Sequence, residues 1–197
     1  MLKNGDGVNH RVYRSIKEDL FRDLHGTVVE IGPGSGINFR YFPDGKKITW
    51  IGIEPNESFH SMLTQKAKEF GITASLVSGD AENIPLPDMS ADAVICTLVL
   101  CSVTKPTRAL MEMKRILKPG GKLYFIEHVA APEKTFLRNV QDLFNPLNQF
   151  FADGCNCNRE TWHDLQSVGF SDVQITHREI KGILTMHKPH MFGVAVK

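Results

Sequence analysis

The chain is poor in cysteine, in charge of one sign and in long apolar runs, and each shortage removes a class of protein. Four cysteines in 197 residues (Cys96, Cys101, Cys155 and Cys157) are too few for a disulfide scaffold and point to a reducing compartment. A net charge of +1 with no concentrated Lys/Arg block argues against nucleic-acid or membrane binding driven by bulk electrostatics. No stretch approaches the roughly 18 unbroken apolar residues of a membrane span. The polar opening MLKNGDGVNHRVYRSIKEDL lacks the apolar centre of a signal peptide. A cytoplasmic location is the expectation, with membrane association only if a natural N-terminal anchor is missing from this chain. Repeats and low-complexity tracts are also lacking, and the length suits one domain over residues 1–197.

What the chain does have is 42% hydrophobic residues arranged in alternating short runs and helical periods. Val28–Ile31, Ile48–Pro55, Ala74–Asp80, the nearly continuous Ala91–Leu100 and Lys122–Val129 read as strands. Such continuous runs suit strands covered on both faces. Between them, Phe59, Met62, Leu63, Ala67 and Phe70 repeat at helical spacing and stop at Gly71. Ala109, Leu110, Met113, Ile116 and Leu117 form a second helical face, with Thr104 as cap, Pro106 in the first turn and Lys118–Gly121 as terminator. Strands alternating with helices imply a parallel sheet with helices on both faces, which binds ligands at the carboxyl ends of its strands.

Beyond Val129, Phe136, Leu137, Val140 and Phe144 suit one helix face, and a further helix is expected from Asn158 to Gly169. DVQITHREI and MFGVAVK read as strands. The segment KGILTMHKPH between them is too short for an ordinary crossover helix, so the last strand is expected to run antiparallel. Val12, Ile16, Leu20 and Leu24 recur every fourth position, so residues 1–25 are expected to form a helical segment that can fold over a ligand as a lid.

The chemistry concentrates in VVEIGPGSG, where Gly32, Gly34 and Gly36 follow an apolar run directly. Glycines there let a ligand approach the backbone closely. The G-x-G-x-G spacing differs from the G-x-G-x-x-G of dinucleotide sites. Glu54 closes the second strand, where a carboxylate can accept both hydroxyls of a ribose. Asp80 closes the third, a position that suits an acceptor for an adenine amine with the Ala81 backbone beside it. Taken singly, these are also an acid favoured by a helix N-terminus and a turn aspartate. Their placement at consecutive strand ends is what joins them.

VVEIGPGSG, GIEPN, GDAENIPLPDMSADAV and EMKRILKPGGKLYFIEH resemble, in order, the motifs of class I S-adenosylmethionine-dependent methyltransferases. ICTLVLCSV, FIEHVAAP, DGCNCNRETW and PHMFGVAVK are similar to the small animal methyltransferase-like proteins that methylate alkyl thiols, and more distantly to quinone methyltransferases. The resemblance implies a Rossmann-like, seven-stranded, mostly parallel α/β sheet with an antiparallel last strand. It implies S-adenosylmethionine as cofactor, S-adenosylhomocysteine as product and a small-molecule acceptor, a lipophilic thiol above all. Nucleic acid is not an expected partner.

By the same resemblance Glu30 and Gly32–Gly36 hold the methionine end, with Asn38 adding a polar contact. Glu54 with Pro55 takes the ribose, Asp80 and Ala81 the adenine, and Thr97 and Leu98 border the sulfonium. His128, at the end of the fifth strand, is the candidate base or acceptor-orienting group, with Asp153 behind it. Phe136, Phe144, Phe150 and Phe151 could form an apolar lid over a lipophilic acceptor, though ordinary helix packing is the stronger expectation for most of them. No metal is expected. Cys155-Asn156-Cys157 is too tightly spaced for a usual cysteine pair, and neither His163 nor His177 completes it. A nicotinamide-dependent oxidoreductase and a non-catalytic cofactor binder are the rival readings. The glycine spacing, Asp80 and the lack of a Tyr-x-x-x-Lys pair disfavour the oxidoreductase.

Overall fold

A computed structural model describes residues 2–44, 47–152 and 154–197, with backbone alone for residues 2–6 and 8. Asp153 lies outside the described residues. The strands are β1 (Gly26–Ile31), β2 (Ile48–Ile53), β3 (Thr73–Val77), β4 (Ala91–Thr97), β5 (Leu117–His128), β6 (Asp172–Glu179) and β7 (Pro189–Val196). The helices are α1 (Leu2–Leu20), α2 (His60–Glu69), α3 (Pro106–Ile116), α4 (Phe136–Phe151) and α5 (Thr161–Ser167). They build a single seven-stranded sheet in the order β3-β2-β1-β4-β5-β7-β6. β1 to β5 pair in parallel, and β7 runs antiparallel to both β5 and β6. The expected α/β class and the antiparallel last strand are both present.

Period-two alternation sends neighbouring residues of each strand to opposite faces. Val29, Ile31, Val94, Cys96, Leu123 and Phe125 join Leu110, Met113 and Leu165 in one core. Val28, Trp50, Ala93, Ile95 and Tyr124 join Phe21, Leu24, Phe39, Leu63 and Ala67 in the other. Strand order reverses between β1 and β4, so the loops after these two strands diverge and leave a crevice at their carboxyl ends.

Several boundaries differ from the sequence reading. Thr104 does not cap α3. The Thr104 and Lys105 N–H groups donate instead to Glu82 Oε1 at 2.8 and 3.0 Å, so a carboxylate from another loop holds the backbone just before the helix. α3 stops at Ile116, and Leu117–Gly121 belong to the start of β5. α5 begins at Thr161 rather than after Asn158, whose side chain donates to Asp142 Oδ1 at 2.9 Å.

The largest correction concerns α4. Ordinary packing was expected for its aromatics, yet Phe136, Phe144, Phe150 and Phe151 are exposed. The buried face of α4 is polar, formed by Gln141, Asn145 and Asn148. Gln141 accepts from Ala131 N–H at 2.7 Å and donates to the carbonyls of Cys157 and Met186 at 2.8 Å. Amide side chains thus satisfy irregular backbone beneath the helix, and burial of these polar groups is sustained by their hydrogen bonds.

Candidate active site

The loop after β1 is fixed at its base by Gly32 N–H donating to Ile53 O at 2.9 Å. Its three glycines have φ of 58, 52 and 67°, and they serve different ends. A Cβ on Gly32 would meet Val99 Cγ2 at 2.8 Å, and one on Gly36 would meet Leu63 and Phe39 at 2.9 Å, so both permit close packing. A Cβ on Gly34 would meet nothing within 4 Å. The backbone at Gly34 therefore faces open space that any side chain would begin to fill.

Beneath the loop lies a buried polar chain. Glu30 accepts from Trp50 Nε1 at 2.8 Å and from Asn38 Nδ2 at 2.7 Å. Asn38 Nδ2 also donates to Thr97 Oγ1 at 3.0 Å. Burial raises the Glu30 carboxyl above the usual carboxylate range, against the pull of those donors. Glu30 has no exposed surface, so what it does for a ligand passes through Asn38. Asn38 is 1% exposed and its Oδ1 has no partner. A buried carbonyl oxygen left unpaired costs free energy, and a ligand donor at this position would satisfy it.

Glu54 follows β2 and is also buried. Its Oε2 accepts from Gly34 N–H at 3.3 Å and its Oε1 from Asn56 N–H at 3.0 Å. A carboxylate has about four lone-pair sites, so both oxygens retain acceptor capacity. Pro55 beside it is exposed. Glu54 N–H donates to Val77 O at 3.1 Å, which ties this acid to the end of β3. Asp80 is exposed just beyond that strand, and its Oδ1 accepts from Glu82 N–H at 2.8 Å. Asp80 and the buried Ala81 line a groove whose opposite wall is Ser102–Lys105. The glycine loop, Glu54 and Asp80 thus lie at the same end of adjacent parallel strands.

Thr97 ends β4, and Leu98 adopts a left-handed φ of 59°. That conformation costs a non-glycine residue roughly 1–2 kcal/mol. It is held by Leu98 N–H donating to Ile126 O at 2.8 Å. Leu98 packs in a third cluster with Tyr13, Ile16, Ile126 and Ile180. α1 therefore packs against residues at the ends of β4 and β5.

Two hydrogen bonds latch α1 down: Tyr13 Oη with His190 Nε2, and His10 Nδ1 with Tyr41 Oη, both at 2.7 Å. His190 Nδ1 faces the Lys188 carbonyl at 3.0 Å, so Nδ1 carries the hydrogen and Nε2 accepts from Tyr13. Burial, aided by His128, pushes His190 down to about 4 and keeps it neutral. Tyr13→Phe should remove about 0.5–1.5 kcal/mol of latch. The melting temperature should fall by a few degrees, and stopped-flow should show a ligand held beneath α1 leaving several-fold faster. An unchanged dissociation rate would mean that α1 does not cover the ligand.

His128 is half-buried at the end of β5. Its Nδ1 lies 3.5 Å from Cys155 Sγ and 4.0 Å from Cys101 Sγ. The rings of His187 and His190 are centred 4.9 and 4.7 Å from its own. The Cys101 thiol, with His128 and His187, holds Cys155 well below the ordinary thiol range, while Cys101 itself is pushed up by that hydrogen bond and by burial.

Glu127 sits on the other side of the strand with no exposure. It accepts from Val99 N–H at 3.0 Å and Cys101 N–H at 3.2 Å, bracing the loop after β4. Burial pushes its carboxyl up to about 7 against those donors. Sequence reasoning did not single out Glu127 or Cys101 as site residues. Only Glu127 carried a local signal, as an acid inside the apolar run LYFIEH.

Residues 29–125 match the family model described as a methyltransferase domain. The chain is 36% identical over 200 residues to human thiol S-methyltransferase TMT1B, a match spanning 96% of this chain and 81% of that protein. It is 35% identical over 194 residues to human thiol S-methyltransferase TMT1A, spanning 93% and 79%. Among solved structures it resembles an S-adenosylmethionine-dependent methyltransferase from Thermotoga maritima, described as a possible histamine N-methyltransferase. The TM-score is 0.67 at 23% identity, covering 100% of this chain and 94% of that one, and this likeness speaks to the fold.

Proposed function

Because the chain belongs to the S-adenosylmethionine-dependent methyltransferases, we propose that it methylates the sulfur of a small lipophilic thiol. S-adenosylmethionine, when bound, supplies a methyl group on a positively charged sulfur that is already a good leaving group. The open space at Gly34 and the unpaired Asn38 Oδ1 fit such a ligand. On this reading Gly32–Gly36 and Asn38 hold the methionine end, and Glu30 orients Asn38. Glu54 with Pro55 receives the ribose, Asp80 and Ala81 the adenine, and Thr97 and Leu98 flank the methyl.

The observation that carries the thiol assignment is the near full-length identity with two thiol S-methyltransferases. The site supports it. A thiol has a pKa near ~8.5 and attacks as its thiolate. His128 is the half-exposed imidazole at the tip of β5, next to the tip of β4, and takes that proton or orients the acceptor. The thiolate lone pair then forms the bond to the methyl carbon, and the breaking carbon–sulfur pair returns to the leaving sulfur. Positioning supplies most of the remaining acceleration. The exposed apolar face of α4, whose Asn148 side chain donates to Cys155 O at 2.7 Å, gives a lipophilic acceptor an apolar approach.

Labelled S-adenosylmethionine offered with a panel of alkyl thiols, alcohols and amines should label the thiols, while NADH should not bind. Label on the alcohols or amines alone would refute the sulfur acceptor. His128→Gln should lower turnover roughly 10²-fold and leave cofactor affinity unchanged. Full turnover in that variant would remove His128 from the mechanism.

A further inference from the structure

We infer that Cys101, His128 and Cys155 form a zinc site with one coordination position open to the acceptor thiol. This deepens the thiol-methylation reading and rests on it for the identity of the fourth ligand. The three ligand atoms come from the loop after β4, the end of β5 and the loop after α4, and all lie within 4.8 Å of one another. Zinc–sulfur and zinc–nitrogen bonds of ~2.3 and ~2.0–2.1 Å at a tetrahedral angle place sulfur and nitrogen about 3.6 Å apart. His128 Nδ1 lies 3.5 and 4.0 Å from the two sulfurs, so nitrogen and sulfur already stand near the spacing that a shared ion requires. Two thiolates and an imidazole favour zinc over the hard, oxygen-seeking cations.

The surroundings hold this geometry in advance. Cys101 O accepts from Asn156 N–H at 2.8 Å and from Asn156 Nδ2 at 3.1 Å, which binds the two cysteine loops together. Asn148 Nδ2 fixes Cys155 O, and Glu127 fixes Cys101 N–H. Cys157 takes no part, since its Sγ turns to Asn145 Oδ1 at 3.7 Å. The proposed site therefore does not use the tightly spaced Cys155–Cys157 pair that the sequence analysis weighed.

His187 stands beside the group with Nε2 on Asn148 Oδ1 at 2.8 Å, but it is not one of the three convergent ligands. Among the described residues no fourth side chain converges on the group, which leaves that position to the acceptor thiol. Three protein ligands with one open position are the pattern of reactive zinc sites.

A thiol that coordinates there releases its proton to solvent and keeps its lone pair, so His128 orients the acceptor through the ion and does not take its proton. With two cysteine thiolates and a neutral imidazole already on the ion, the added thiolate gives the complex a net charge of −1. A cationic methyl donor is drawn to that charge. The lone pair forms the bond to the methyl carbon, the donor's carbon–sulfur pair returns to its own sulfur, zinc keeps its oxidation state, and the neutral thioether product dissociates as a weak ligand.

The test is metal analysis with cobalt substitution on the full chain. One zinc per chain is expected in protein expressed with zinc. The cobalt form should show a thiolate-to-cobalt charge-transfer band that changes when an alkyl thiol is added. Cys101→Ser and Cys155→Ser should each lose at least tenfold in metal affinity while binding S-adenosylhomocysteine within about twofold of the parent. Wild-type protein that binds neither zinc nor cobalt, or that carries a Cys101–Cys155 disulfide by mass spectrometry, overturns the inference. A band that ignores added thiol, with the metal lost in His187→Ala, overturns the open position and indicates a closed four-ligand site. A thiol-sensitive band in an enzyme that methylates only alcohols or amines upholds the metal site and overturns the thiol-methylation reading.

Discussion

Glu54→Ala should weaken S-adenosylmethionine binding by about ten- to a hundred-fold in a calorimetric titration. On the proposed assignment the charged oxygens of Glu54 accept the ribose hydroxyls, and a hydrogen bond to a charged group is worth ~1.5–3 kcal/mol, where each ~1.4 kcal/mol is a factor of ten. The same carboxylate also holds Gly34 N–H and Asn56 N–H. Its removal therefore loosens the glycine loop and the turn leading to α2 as well as the sugar contact. Glu54→Gln keeps one acceptor oxygen and should fall between parent and alanine variant. Unchanged affinity in the alanine variant would refute the ribose assignment.

Gly34→Val is expected to be at least as damaging, with affinity falling by about a hundredfold or more. A branched side chain at a φ of 52° costs roughly 1–2 kcal/mol of backbone strain. It also projects into space where no protein atom lies within 4 Å, the space assigned to the cofactor. Close backbone approach is the reason for glycine at such loops. The variant should fold, with a lowered melting temperature, and bind poorly. Because Gly34 N–H is hydrogen-bonded to Glu54, the losses in the Gly34→Val/Glu54→Ala double variant should be less than additive, as expected for residues in direct contact. Full affinity in Gly34→Val would place the cofactor elsewhere.

The glycine loop and the strand-end acids of the proposed cofactor half were legible because their signals are local. Each of Gly34, Glu54 and Asp80 lies within three positions of the end of an apolar run, and parallel strands bring such positions to one end of a sheet. The antiparallel β7 was legible from the shortness of the connection before it. Helix ends were less so. Thr104 has the composition of a cap, but no side chain caps α3 and Glu82, from a different loop, accepts from the N–H groups of Thr104 and Lys105 just before the helix. α4 shows a deeper limit. Its apolar period was read correctly, but the face turned inward is Gln141, Asn145 and Asn148, because irregular backbone beneath the helix needs donors and acceptors more than apolar contact. Hydropathy alone assigns such a helix the wrong way round.

The acceptor half carried almost no local signal. Cys101, His128 and Cys155 are far apart in the chain and meet only because β4 and β5 are paired neighbours and Asn156 ties the last loop back to Cys101. His128 was singled out by its place at a strand end, whereas its cysteine partners follow from the tertiary structure alone. The N-terminal helix lay between these cases. The spacing of Val12, Ile16 and Leu20 announced a helix, but its latch, Tyr13 on His190, joins the first helix to the last strand.

The measurement that bears most directly on the whole account is a crystal structure of the protein with S-adenosylhomocysteine bound. The account predicts density across Gly34, ribose hydroxyls on both oxygens of Glu54, the adenine beside Asp80, the amino group within reach of Asn38 Oδ1, and the thioether sulfur turned toward Thr97 and the Cys101–His128–Cys155 group. Product bound away from the carboxyl ends of β1 to β4, or with its sulfur facing away from His128, would contradict it.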